Sequence, residues 1–172
     1  MDDNMITCEL NYNDRTSNGT LRLQCSGVGI FHVFSGLGAF KDVLEFSRGK
    51  NGPIPLGKYW IVDRPKGGMY SRLKQIEKEI RTGNDYDKWF ALFKQDSVMD
   101  DYTFVDLFQR GNFRLHPLRP DGTGVSDGCI TFYNQADSNT LRDALLKTTR
   151  KIIDNSGIVA YGEINVIGIP RA

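Results

Sequence analysis

Two runs within the first 25 residues alternate apolar and polar side chains with a period of two: Thr7-Cys8-Glu9-Leu10-Asn11-Tyr12 and Thr20-Leu21-Arg22-Leu23-Gln24-Cys25. That period suits a strand with one buried face, because successive strand side chains point to opposite sides. The connection from Asp14 to Gly19 carries Asn18-Gly19, a strong hairpin-turn signal. A symmetric register sets Cys8 opposite Cys25, both on the face of Leu10, Tyr12, Leu21 and Leu23. The favoured reading is two buried thiols acting as small hydrophobes rather than a disulfide, since directly opposite strand positions seldom meet bridge geometry. With 3 cysteines in the chain, one thiol stays unbridged in any case.

Strand signals continue along the chain. Gly29-Ile30-Phe31-His32-Val33-Phe34 reads as a third strand, and Lys58-Tyr59-Trp60-Ile61-Val62 follows a proline-rich turn at Asn51-Gly52. From Ser71 to about Asp100 the period changes: Leu73, Ile76 and Ile80 stand at helical spacing, followed by Trp89, Phe90, Leu92 and Phe93, which together read as a short helical insertion. Strand character resumes at Tyr102-Thr103-Phe104-Val105 and runs to His116. Ser138 then caps a helix presenting Leu141, Ala144, Leu145 and Ile152, and Gly162 to Ile167 closes the chain as a strand. The class is mainly β, of α+β type. At 172 residues and 40% hydrophobic, the chain supports one core, so residues 1–172 read as a single domain with an insertion over about 71–112.

Charge and composition exclude several partners. A net charge of +1 with scattered basic residues gives no electrostatic case for nucleic acid or an anionic membrane. No apolar run approaches the roughly 20 residues a transmembrane helix needs. Two histidines and one well-placed cysteine lack the spacing of zinc sites, so neither a metal nor another cofactor is expected.

The chemistry concentrates near the three-quarter mark. Phe113-Arg114-Leu115 reads as a strand ending at His116, and Cys129 opens another, Ile130-Thr131-Phe132-Tyr133. Between them Pro117, Pro120, Asp121-Gly122 and Gly124 form turns, so the loop brings an imidazole and a thiol to one end of a sheet. A cysteine attacks as its thiolate, which is scarce at neutral pH for a free pKa of about 8.5; a neighbouring imidazole supplies the base. Gly128 clears the approach of a substrate carbonyl, and the amides of Gly128 and Cys129 can face a developing oxyanion. Ser126 can hold His116 or bridge the loop backbone, and Asp127 can orient a donor, bind a substrate amine or stand as a solvated turn carboxylate. His32 alternates with Ile30 and Phe34 and reads as a strand histidine outside the site.

The run from His116 to Ser126-Asp127-Gly128-Cys129-Ile130 resembles the L,D-transpeptidase catalytic motif, and Asn51-Gly52-Pro53-Ile54-Pro55-Leu56-Gly57-Lys58-Tyr59 is similar to a second block of that family. Phe34-Ser35-Gly36, the short chain and the acidic residue before Gly-Cys resemble more narrowly the type VI secretion effectors carrying such a domain. Asp127 and Thr131 stand where many housekeeping enzymes have a histidine and an Arg or Asn, and Pro117 replaces a frequent glycine; these departures favour the effector branch. The resemblance implies a β-sandwich core with a helical insertion and a C-terminal helix. It also implies cysteine acyl transfer on peptidoglycan tetrapeptide stems, with release or exchange of terminal D-Ala.

Partners follow from the same resemblance: a secretion-machine component for delivery and a cognate immunity protein. Met1-Asp2-Asp3-Asn4 lacks the basic-then-apolar start of a secretory signal, so the expectation is synthesis in the cytoplasm and action in a target cell's periplasm. The alternatives are another cysteine amidohydrolase of the cell wall, disfavoured by the His-before-Cys order, or a non-catalytic wall-binding module. The aromatic residues of the insertion are expected to wall the substrate groove.

Overall fold

The structure is a computed structural model that describes residues 5–49, 51–63, 89–96, 102–105, 108–111, 113–118, 128–153 and 158–170, with the backbone alone for 102–105 and 108. Its strands are β1 (Ile6–Arg15), β2 (Leu21–Cys25), β3 (Gly29–Phe34), β4 (Gly57–Asp63), β5 (Phe90–Lys94), β6 (Tyr102–Val105), β7 (Phe108–Gly111), β8 (Arg114–Pro117), β9 (Ile130–Phe132), β10 (Lys151–Ile152) and β11 (Val159–Ile167). One helix, α1 (Gln135–Lys147), follows β9. The sheet order β1-β2-β3-β9-β8-β5-β4-β11 returns to β1 through a parallel β1–β11 pairing, so eight strands close on themselves. The mainly β class is met, but by a closed barrel rather than the expected sandwich. Closure is possible because β11 is long enough to pair with β4 on one side and with β1 on the other.

The alternation read from the sequence fills the barrel. Cys8, Leu10, Tyr12, Leu21, Leu23 and Cys25 all point into one core with Phe31, Val33, Tyr59, Ile61, Leu115, Ile130, Phe132, Ile164 and Val166. The predicted register holds: Cys8 faces Cys25 and Leu10 faces Leu23. The two cysteines are nevertheless disulfide-bonded, which corrects the preference for separate thiols. The amide of Ser26 donates to the carbonyl of Thr7 at 3.1 Å, so Cys8 and Cys25 form a non-hydrogen-bonded pair. In such a pair the backbones come closest, and the Cα atoms lie 4.1 Å apart, which lets the sulfurs meet.

Two other expectations change. Phe90, Leu92 and Phe93 do not belong to a helical insertion: they form β5 between β4 and β8. Phe90 and Leu92 enter the barrel core, while Ala91 and Phe93 join a second cluster on the outer face with Val62 and Ala160. A strand buried on both faces loses its alternation, which is why its period misleads. Residues 71–88 and 97–100 of the expected helical stretch lie outside the described residues. The helix cap is Asn134, whose Oδ1 accepts from the amide of Ala136 at 2.8 Å, so Ser138 sits inside the first turns. The helix ends before Ile152, which is exposed in β10. Leu141 and Leu145 are buried as expected and pack on the core.

The disulfide joins residues 17 apart in sequence. Its loss should cost about 3 kcal/mol in the chain-entropy account. Urea unfolding of the Cys8→Ser, Cys25→Ser variant measures this. Thiol titration of the unfolded, unreduced chain should find one thiol, rising to three after reduction.

Candidate active site

β8 and β9 run parallel, with Leu115 beside Ile130, His116 beside Thr131 and Pro117 beside Phe132. Leu115, Ile130 and Phe132 point into the core, so His116 and Thr131 occupy the barrel's outer face. The rung continues both ways. Thr131 pairs with Phe34 of β3, and the β5–β8 register puts Trp89 across from His116. Cys129 precedes β9 by one residue, shares the parity of Thr131 and stays out of the core cluster. It is therefore diagonal to His116, at roughly 8 Å between Cα atoms by ordinary sheet spacing, a span that an imidazole and a thiol can bridge. The sequence motif thus comes together on neighbouring strands. Ser126 and Asp127 lie outside the described residues.

Three contacts fix the histidine ring. Its Nδ1 lies 2.8 Å from the carbonyl oxygen of Pro117. A carbonyl only accepts, so Nδ1 carries the proton of the neutral ring and Nε2 keeps the lone pair of a base. Nε2 faces Thr131 Oγ1 at 3.5 Å. The indole of Trp89 stacks on the imidazole with centroids 4.0 Å apart and planes 15° from parallel. His116, Cys129 and Thr131 are all buried, so the chemistry available here is that of a thiol and a base largely shielded from water. Of the three aromatic residues expected to wall a groove, Trp89 alone reaches the site. His32 is exposed and stays outside it, with Nδ1 3.4 Å from Thr20 Oγ1.

Gly128 has φ +96°, a conformation that suits glycine. A Cβ there would run into Nη2 of Arg110 and the ring of Phe113. Arg110, only 4% exposed, donates to the carbonyls of Ser47, Gly52 at 3.1 Å and Pro53 at 3.2 Å, and its guanidinium lies 5.3 Å from the Phe113 ring centroid. The guanidinium fork thereby ties the proline block of the sequence to the residue before Cys129. Arg110 carried no local sequence signal for this role: it sits on β7, in the β6–β7 hairpin outside the barrel, and reaches the site through its side chain, whereas Trp89 arrives through the pairing of β5 with β8.

The proline block is held from its other side too. The hydroxyl of Tyr12 donates to the carbonyl of Ile54 and that of Tyr59 to Pro55 at 2.8 Å, and burial pushes both phenols above their ordinary pKa. Ser35 Oγ accepts from the amide of Ile54 at 2.8 Å. The amide of Ser35 in turn donates to Asp42 Oδ1 at 2.8 Å. Asp42 adopts a left-handed backbone with φ 61°, which an Asx residue tolerates. Burial raises its pKa, opposed by the Ser35 amide and by the charges of Arg15 and Lys41. The Phe34-Ser35-Gly36 stretch is thus the joint between the β3–β9 rung and the proline block.

With this geometry in hand, comparison with known families is decisive: the model of the Tlde1 domain matches residues 29–156, well over half of the chain. The chain belongs to the Tlde1 domain family. This is the family of type VI secretion L,D-transpeptidase effectors, so membership implies an L,D-transpeptidase-type enzyme secreted into a target cell, with a peptidoglycan substrate and a cognate immunity protein. No curated protein matches the chain. The span matched by the Tlde1 domain holds the whole β3–β9–β8–β5 wall, while β1, β2 and β11, which close the barrel, lie outside it. No helix among the described residues is long and apolar enough to cross a membrane, and no cluster of metal ligands occurs among them.

Gly128→Ala should lose stability by about 1–3 kcal/mol through overpacking, and lose turnover with it, because relief requires Arg110 to leave its carbonyls. Chemical denaturation and turnover measured on the same preparation test this. For Asp42, the folded state favours the protonated carboxyl. Its contribution is complete below the unfolded pKa of about 3.9 and is lost as pH rises through the elevated folded value. Asp42→Asn, which keeps the acceptor and tolerates the backbone, should therefore match wild type near pH 3 and gain on it progressively above about pH 4 in unfolding experiments.

Proposed function

We propose that residues 1–172 form one catalytic domain that carries out cysteine acyl transfer on peptidoglycan tetrapeptide stems. In this reading Nε2 of His116 accepts the proton of Cys129, and the thiolate attacks the carbonyl carbon of the third stem residue, in the L,D linkage before the terminal D-Ala. The amides of Gly128 and Cys129 stabilise the oxyanion. As the tetrahedral intermediate collapses, the C–N bond breaks and His116 returns its proton to the departing amine. D-Ala leaves and a thioester remains on Cys129.

The acceptor decides the product. Water attacking the thioester gives a tripeptide carboxylate, the amine of a D-amino acid gives exchange, and the amine of a neighbouring stem gives a cross-link. Trimming and exchange both remove the donor stems that the target's own cross-linking enzymes need, which is the proposed basis of toxicity. Ser126 is proposed to hold His116 or bridge the loop backbone, and Asp127 to orient a donor or bind the substrate amine.

The observation that carries the reading is the histidine's environment. A carbonyl at Nδ1 puts the lone pair of the neutral ring on Nε2, which faces the hydroxyl of Thr131 two residues after Cys129, and the Trp89 indole stacks on the ring. A structural histidine has no need of such an arrangement beside a glycine–cysteine pair. A wall-binding module would leave Cys129 no more reactive than an ordinary buried thiol.

Mass spectrometry of muropeptides after incubation with tetrapeptide-rich sacculi separates the three products. Cys129→Ala should give none of them while remaining folded, and His116→Ala should lower turnover by about 10²–10⁴-fold, the usual worth of a general base. Near-normal conversion by Cys129→Ala would sink the mechanism.

A further inference from the structure

A preformed cavity lies against the 45–52 segment, whose Gly52 carbonyl Arg110 holds. Two short 3-10 turns, Gly38–Phe40 and Leu44–Phe46, bring the rings of Phe40 and Phe46 edge to face, with centroids 4.8 Å apart. The rings remain 38% and 44% exposed, on the wall of a cavity of about 320 Å³ otherwise lined by Glu45, Arg48, Gly49, Asn51 and Gly52. The turn is tightly built. The amides of Phe46, Gly49 and Gly52 donate to the carbonyls of Val43, Phe46 and Gly49 at 2.9–3.0 Å, and a Cβ at Gly52 would run into the carbonyl of Phe46. Gly52 also receives Nη2 of Arg110, the nitrogen that packs against Gly128. The floor of the cavity is thus one guanidinium away from the residue before Cys129.

We propose that this cavity is a subsite for one N-acetylated sugar ring of the peptidoglycan donor, an inference that rests on Cys129 as the acylated nucleophile. A pyranose has an apolar C–H face and a polar rim of hydroxyl and acetamido groups. The Phe40–Phe46 wall suits the face, and Glu45, Arg48 and the Asn51 amide suit the rim. The volume, about 320 Å³, sits at the small end of ligand pockets, which fits one ring rather than a chain. The carbonyl attacked belongs to the third stem residue, so about 10 Å of extended peptide separates it from the sugar, and the Arg110 tie links Gly52 of the cavity to the residue before Cys129.

The test compares two donors with the same stem, free tetrapeptide and disaccharide tetrapeptide, for wild type, Phe40→Ala and Phe46→Ala. The ratio of kcat/KM for the sugar-bearing donor to that for the free donor should fall about tenfold in each variant, through KM, a change equal to one stacking contact. Phe46→Tyr, which keeps a ring, should retain the ratio. As a readout that needs no variant to fold, titration of wild type with the N-acetylglucosamine dimer should shift NMR signals of residues 40–52. An unchanged ratio with no shifts on titration overturns the proposal. So does an unchanged ratio in variants that have lost binding of the immunity protein, since the rings would then be a protein-docking face. If wild type turns over neither donor, the acyl-transfer reading has failed, and the titration alone decides whether a sugar binds.

Discussion

The guanidinium of Arg110 is the interaction on which the site's geometry rests. Burying a cation is costly unless its donors are met, and here three main-chain carbonyls of the 47–53 segment meet them. The same group closes over Gly128, so the proline block is tied to the residue before Cys129. A lysine offers a point charge in place of a fork and cannot bridge three carbonyls in one plane.

The outer-face rung supplies the second constraint. Trp89, His116, Thr131 and Phe34 come from four segments that are separate in sequence but adjacent in the barrel, and only closure of the wall aligns them. The imidazole is held by stacking on one flank and by a backbone carbonyl at Nδ1, which fixes both orientation and tautomer. This suits a base whose task is to meet one thiol, because ring rotation would exchange the two nitrogens.

Barrel closure relies on residues remote from the chemistry. β11 bridges β4 and β1, the disulfide pins β1 to β2, and Tyr12 of β1 reaches the carbonyl of Ile54 in the proline block. The span that defines the family carries the catalytic wall; these flanking strands complete the cylinder behind it. A small domain gains from this, since a covalent staple constrains the unfolded chain where the core is of limited size.

Local patterning was enough to read the first hairpin, its Cys8–Cys25 register, β3, β4, β8, β9 and the terminal strand, and so that the strand ending at His116 lies beside the one that follows Cys129. Each of these rests on period, turn residues or spacing, properties carried by adjacent residues. Tertiary structure alone decided the rest. β5 escaped because a strand buried on both faces has no alternation to detect. Asn134 displaced Ser138 as the helix cap because the β9 exit sets where the first turn begins. The disulfide depended on which rung of the ladder is the close one. Trp89 became a neighbour of the site only when β5 paired beside β8, and Arg110 only when its side chain, from the β6–β7 hairpin outside the barrel, met the carbonyls of the 47–53 segment; no window of sequence contains either contact.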